Sequence, residues 1–425
     1  MNTTRPQSTH EPIDLRDPAV ASDPHALVER VRAVGGSAPA LFVDQQPARI
    51  FVDDEDVRAV LSDRRFVMDP ANVPGGDVRI TRADALRGLG LREDLVTYLT
   101  ESLLQKDGVD HVRLRKLVSR TFTVRRVNEL RPSVERISAD LLAALPHHAD
   151  GDGVVDLVEH FAYPLPIAVI CDLVGVPDED RPLWRDWSHR LTRFDPQRPE
   201  EMNQVFGELI DHIHGMIEQR REEPHDDLLD ALIHVRDEDG DRLNGTELVT
   251  LIFTLVIAGH ETTAHLIGNG TVELLRNPDQ LEQLRDEPGL VPAAIHEMLR
   301  HRGTAALSQA RYATEDITLR SGTVVRGERA IAVLWGANHD PDTHSDPDRF
   351  DITRHHGRPG ESHVAFGHGM HYCLGAALAR QEGEVAFTQL LNSYPDLSLV
   401  EGRPPRPAFT PGALRLEELP VRLGT

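Results

Sequence analysis

One short segment concentrates residues that could do chemistry: Phe366-Gly-His-Gly-Met-His-Tyr-Cys373-Leu-Gly-Ala-Ala-Leu-Ala-Arg380. Its single cysteine follows two closely spaced glycines and precedes a predicted helix start. A lone cysteine cannot build a structural zinc site, which takes several N or S ligands. It can bind the iron of a haem, whose in-plane ligands come from the porphyrin. Gly367 and Gly369 allow a sharp turn and a close approach to a flat ligand. Gly375 leaves room beside the sulfur. The helix that follows aims free amides back at Cys373, which favours thiolate over thiol. His363, His368, His371 and Cys373 could be drawn together as a zinc cluster, but their spacing fits no common structural site.

A second group is Ala258-Gly-His-Glu-Thr-Thr263, set in the middle of a long apolar stretch. An acid and an alcohol stand side by side where their surroundings are apolar. A buried Glu261 is costly unless it is paired or hydrated. A threonine can bond to the carbonyl of the preceding turn and loosen the helix there. Gly259 lowers local helix stability and admits a flat ligand. The pattern suits a small, watered notch in which dioxygen and protons could be handled. His260 and His265 suggest a metalloprotease helix at first sight. That motif needs spacing i, i+4, roughly 40° apart on a helix; spacing i, i+5 is roughly 140° apart, so zinc is rejected.

The cysteine segment resembles the haem-binding loop of the cytochrome P-450 monooxygenases, Phe-Gly-x-Gly-x-His/Arg-x-Cys-x-Gly. By that resemblance Cys373 is the axial iron ligand. Phe366, Gly367 and Gly375 belong to the haem loop, and His371 takes the basic position near a haem propionate. Ala258 to Thr263 resembles the family's Ala/Gly-Gly-x-Asp/Glu-Thr-Thr signature, which places Ala258 against the haem. There Thr262 would steady bound dioxygen and Glu261 would take part in proton delivery. His111-Val-Arg-Leu-Arg115 resembles the family's His-x-x-x-Arg helix, with His111 and Arg115 one turn apart. Arg311 and His363 also fall on propionate-contacting positions. One departure is Asp107-Gly-Val-Asp110, where the family usually has Asp-Pro-Pro, and it puts the local loop path in question. Glu297-Met-Leu-Arg300 resembles the Glu-x-x-Arg pair, and Pro347-Asp-Arg-Phe350 the segment whose arginine completes that structural network.

These groups must be positioned by the rest of a 425-residue chain that is 40% hydrophobic. Helical periodicity dominates from Asp110 to about Arg285, with further helices over 289–302 and from Cys373 to about Ser393. A hairpin is predicted around Gln45-Gln46-Pro47, and short strands over 306–334. Residues 66–95, rich in Pro and Gly, read as a long functional connection. The fold class expected is mainly α: a single-domain P-450-like helical fold with a small β-rich part from the N- and C-terminal regions. Residues 1–22 are read as a flexible arm and 23–425 as one haem-binding domain.

The net charge of −23 argues against nucleic acid and anionic membranes as partners. Two cysteines exclude a disulfide framework and fit a reducing cytoplasm. The polar N-terminus carries no signal or anchor pattern. No dinucleotide fingerprint occurs, so no flavin or nicotinamide is expected to bind directly. The resemblance implies haem b, O2, a hydrophobic small-molecule substrate, and electrons from a ferredoxin and its reductase. Arg113, Lys116, Arg120, Arg125 and Arg126 form a basic run that an acidic ferredoxin could use. The substrate pocket is expected from Phe66–Gln105, Arg185–Asp195, Phe253–Ala258, Thr304–Leu307 and Phe409–Leu414. Its small residues suggest room for a macrolide or similar secondary metabolite. The alternatives are a peroxide-dependent haem-thiolate enzyme, or a non-catalytic haem-binding protein.

Overall fold

In a computed structural model the described residues are 11–42, 44–75, 81–192, 198–236, 240–408 and 412–424. The longest element is the helix Gly245–Arg276, opened by a capping box in which Asn244 and Glu247 exchange side-chain and backbone hydrogen bonds. It is apolar around most of its circumference, and a helix of that kind must be buried. Helices Pro164–Val174, Val291–Arg302 and Ala376–Ser393 pack around it. This helix is long and apolar enough to cross a membrane by length and composition, yet 61% of its apolar window is buried inside the fold.

The β structure sits to one side. The largest sheet runs in the order Ile13–Asp14, Ser37–Leu41, Pro47–Phe51, Arg329–Ala332, Arg311–Ala313, Phe66–Val67. The expected hairpin is present, with Ser37 opposite Phe51, Leu41 opposite Pro47, and Gln45 at φ 61° in the turn. Its alternation buries Ala38, Ala40, Ala48 and Ile50 on one face. A three-stranded sheet joins Val154–Asp156 to the C-terminal strand Pro420–Arg422 and to Ser398–Leu399. Arg406–Ala408 pairs with Arg415–Glu418.

Two expectations change here. The arm read over 1–22 is narrower: Ile13–Asp14 pairs in parallel with Ala40–Leu41, and Pro18–Ser22 is a helix capped by Asp17. Residues 1–10 lie outside the described residues. The connection read over 66–95 holds the helix Arg82–Gly88, with a Thr81–Asp84 capping box, and leads into Glu93–Thr100. The short caps were outweighed in the sequence by the density of Pro and Gly.

Candidate active site

Cys373 lies at the end of a tight loop. Gly367 and Gly369 both take φ 75°, and the Cys373 amide donates to the Phe366 carbonyl at 2.9 Å. A Cβ on Gly369 would stand 2.8 Å from the Leu61 carbonyl oxygen. The close approach this glycine permits is to the helix Asp54–Ser62. Gly375 caps the helix Ala376–Ser393. Burial pushes the Cys373 thiol up, while the Gly375 amide and the Arg115 guanidinium pull it back. Cys373 is nevertheless exposed. The residue is thus accessible although its surroundings are dense enough to desolvate the thiol. The other cysteine, Cys171, is buried in the helix Pro164–Val174 and pushed up to about 12 by burial, so it is inert.

Four of the expected cations come together beside this sulfur. The His111 and His371 rings lie 4.3 Å apart. Burial lowers His371 to about 3, helped by Arg311, His111 and Arg115. Burial likewise lowers Arg311 to about 10. Both ring nitrogens of His111, Nε2 of His371 and Nε of Arg311 are buried without a hydrogen-bond partner. Buried donors are normally satisfied. Converging orphan donors next to a thiol fit a group that brings two carboxylates and an iron. The residues present thus suit a haem, held by Cys373 and by these four side chains.

His363 is not among them. It is buried, hydrogen-bonded to His296, and surrounded by His355 and His344. Its assignment to a propionate is corrected: the loop turns it toward the Glu297 network. The Asp107-Gly108 departure also has an explanation. Gly108 takes φ 53°, which proline cannot adopt, and the Asp107 carboxylate accepts from the amides of Met68 and Asp69.

On the long helix, Ala258 and Thr262 are exposed within an otherwise largely buried element. At spacing i, i+4 they share one face. Thr262 Oγ1 donates to the Ala258 carbonyl at 2.9 Å, and Thr304 Oγ1 donates to the Thr262 carbonyl at 2.9 Å. Glu261 is mostly buried and faces Arg415 at 2.5 Å. Burial raises its pKa and Arg415 opposes the rise. No sequence signal pointed to Arg415, which arrives from the C-terminal strand pair. Gly259 makes room for Ile170, which a Cβ would meet at 2.9 Å. The close approach there is again helix to helix. His260 bonds to the Val256 carbonyl and His265 to Tyr163, so each imidazole is held separately.

Several expected pocket segments do meet. Ala306 and Leu307 amides donate to the Gly412 carbonyl, the Leu414 amide to the Thr304 carbonyl, and Gln105 to Gln309. Phe253 instead packs edge-on to Phe206 in the core. Residues 76–80, 193–195 and 409–411 of the expected lining lie outside the described residues.

Glu297 and Arg300 form a fully buried pair at 2.7 Å. The third member is Arg354, at 3.1 Å from Glu297, with His355 donating at 3.2 Å. Arg349, expected from the sequence, contributes only its carbonyl oxygen.

Residues 178–423 match the cytochrome P450 family model. The chain belongs to the cytochrome P450 family. This P450 is 41% identical to cytochrome P450 107B1 of Saccharopolyspora erythraea over 93% of its length and 92% of the relative. It is 38% identical to the 6-deoxyerythronolide B hydroxylase of the same organism, covering 91% and 92%. Its backbone is similar to that of the ligand-free P450 monooxygenase TamI, with TM-score 0.83, 38% identity and coverage of 97% and 94%. It is an enzyme of the monooxygenase class, and its cofactor is haem b with cysteine thiolate ligation.

Proposed function

We propose that this P450 hydroxylates or epoxidises a bulky hydrophobic secondary metabolite of the macrolide or polyketide type, with electrons from a ferredoxin and its reductase. The haem, when bound, supplies the reductive activation of dioxygen: one oxygen atom enters the substrate and the other leaves as water. The exposed Ala258–Thr262 face, with Glu261 beside it, carries this reading. Thr262 presents a hydroxyl on the exposed face of the helix, and Ala258 and Thr304 fix the turn on which it sits. Glu261 can hold or release a proton: burial favours the protonated form and Arg415 favours the carboxylate. A peroxide-using enzyme or a haem carrier would need no such pair. Relatives such as the polyketide biosynthesis cytochrome P450 PksS of Bacillus subtilis, at 35% identity, support the substrate class.

Two tests follow. Thr262→Ala should uncouple turnover: NAD(P)H is still consumed, while product per NAD(P)H falls and peroxide rises. An unchanged product yield would remove Thr262 from this role. Incubation with a metabolite library, read by the haem spin-state change, identifies the substrate. Macrolide and polyketide scaffolds are expected among the hits, and exclusive binding of small polar metabolites would overturn the proposed class.

The donor docking face needs revision. Arg113 is half-buried and paired with Asp241 at 3.1 Å and with Glu247, and Arg120 donates to the Arg236 carbonyl. The solvent face of the helix Gly108–Thr121 instead shows Val109 and Val112, both exposed, together with exposed Lys116. An apolar strip with a basic edge suits an acidic ferredoxin, steered by charge and held by apolar burial. Val112→Glu with Lys116→Glu should slow ferredoxin-driven reduction at low salt and leave the substrate-induced spin change untouched. A wild-type reduction rate would place the donor elsewhere.

A further inference from the structure

A second group of ligating side chains lies outside the haem site. His296, on the helix Val291–Arg302, and His363, in the segment before the cysteine loop, meet ring to ring, with Nδ1 of His296 3.0 Å from Nε2 of His363. Glu361 completes the set: one ligand atom from each of the three residues lies within 4.8 Å of the others. His363 is almost wholly buried, and His296 and Glu361 are partly so. His296 and Glu361 also line a cavity of about 540 Å³, together with His355, Arg358, Tyr372 and Arg380.

We propose that His296, Glu361 and His363 form a divalent transition-metal site, best suited to Zn2+. Two imidazoles and one carboxylate, with a fourth position open to a cavity, are the donor set and geometry that zinc accepts. The surroundings set what binding must displace. The Ala365 amide donates to Nδ1 of His363 over 3.3 Å, a long bond that gives way when Nε2 takes the metal. Arg380 pairs with Glu361 and also lies 5.5 Å from the centre of the Phe366 ring, so it keeps a partner when the carboxylate turns. Tyr372 holds the other Glu361 oxygen at 2.9 Å, as an outer partner that orients a ligating carboxylate.

The test uses tag-free holoenzyme treated with chelator and then titrated with Zn2+ by calorimetry, with X-ray absorption at the zinc edge. One zinc should bind with a first shell of two imidazoles and oxygen. His296→Ala and Glu361→Gln should each weaken that binding by about tenfold or more. His148→Ala, in a stacked histidine pair elsewhere, should leave it unchanged. Retained haem absorbance in each variant shows that the fold survives. Wild-type zinc affinity in both site variants, or a zinc shell without two imidazoles, would overturn the assignment.

Discussion

Cys373→Ser should abolish oxygen insertion while leaving the protein folded. The sulfur stands at the end of a loop whose shape is fixed by backbone: two glycines at φ 75° and the bond from the Cys373 amide to the Phe366 carbonyl. Serine preserves that backbone. It removes the thiolate, whose electron donation favours O–O cleavage. Cys171 cannot substitute, since its thiol is buried and pushed up to about 12. The variant should keep its far- and near-UV circular dichroism and show no product with substrate, O2 and reductant. Product formation at the wild-type rate would mean that another residue holds the iron.

Glu297→Ala should cost about 3–5 kcal/mol and reduce the yield of haem-loaded protein, because removing one partner leaves a buried charge uncompensated. Arg300 is fully buried and bonds to Glu297, to the carbonyls of Asn338 and Pro347, and to that of Arg349. Burial opposes ionisation of Glu297, but Arg300, His355 and Arg354 outweigh it and hold the carboxyl well below the usual range. A depressed carboxyl gives stability that is fully present above its unfolded pKa and is lost as pH falls through the folded value. The wild type should therefore lose this contribution only in strong acid, below the ordinary carboxylate range, and the variant should lack that step. Chemical denaturation across pH checks both statements. An unchanged denaturation midpoint in Glu297→Ala would remove the network from the account of folding.

The local part of this architecture is readable in residues close in sequence. The cysteine loop, the acid–alcohol helix, the hairpin at Gln45-Gln46 and the pair Glu297–Arg300 are all set by spacing within a turn or two. What is hidden depends on contacts between distant segments. Arg415 reaches Glu261 only because the C-terminal strand pair folds against the long helix. Arg354, not Arg349, completes the buried network because the irregular segment turns its side chain inward. Gly259 and Gly369 read as room for a ligand, yet each makes room for a neighbouring helix. His363 stands three residues before Phe366, but the chain direction there sends it to His296. Arg113 belongs to a basic run in sequence, while in space it is neutralised by Asp241 and Glu247. Periodicity tells which face a residue takes on its own helix; it does not tell what the next element brings to that face.

The most direct measurement is the absorption spectrum of the freshly reduced native protein under carbon monoxide. Ligation by Cys373 predicts a Soret band at the long-wavelength position of a thiolate-bound carbonyl complex. A band at the position of a histidine-ligated globin, in native protein, would contradict the account.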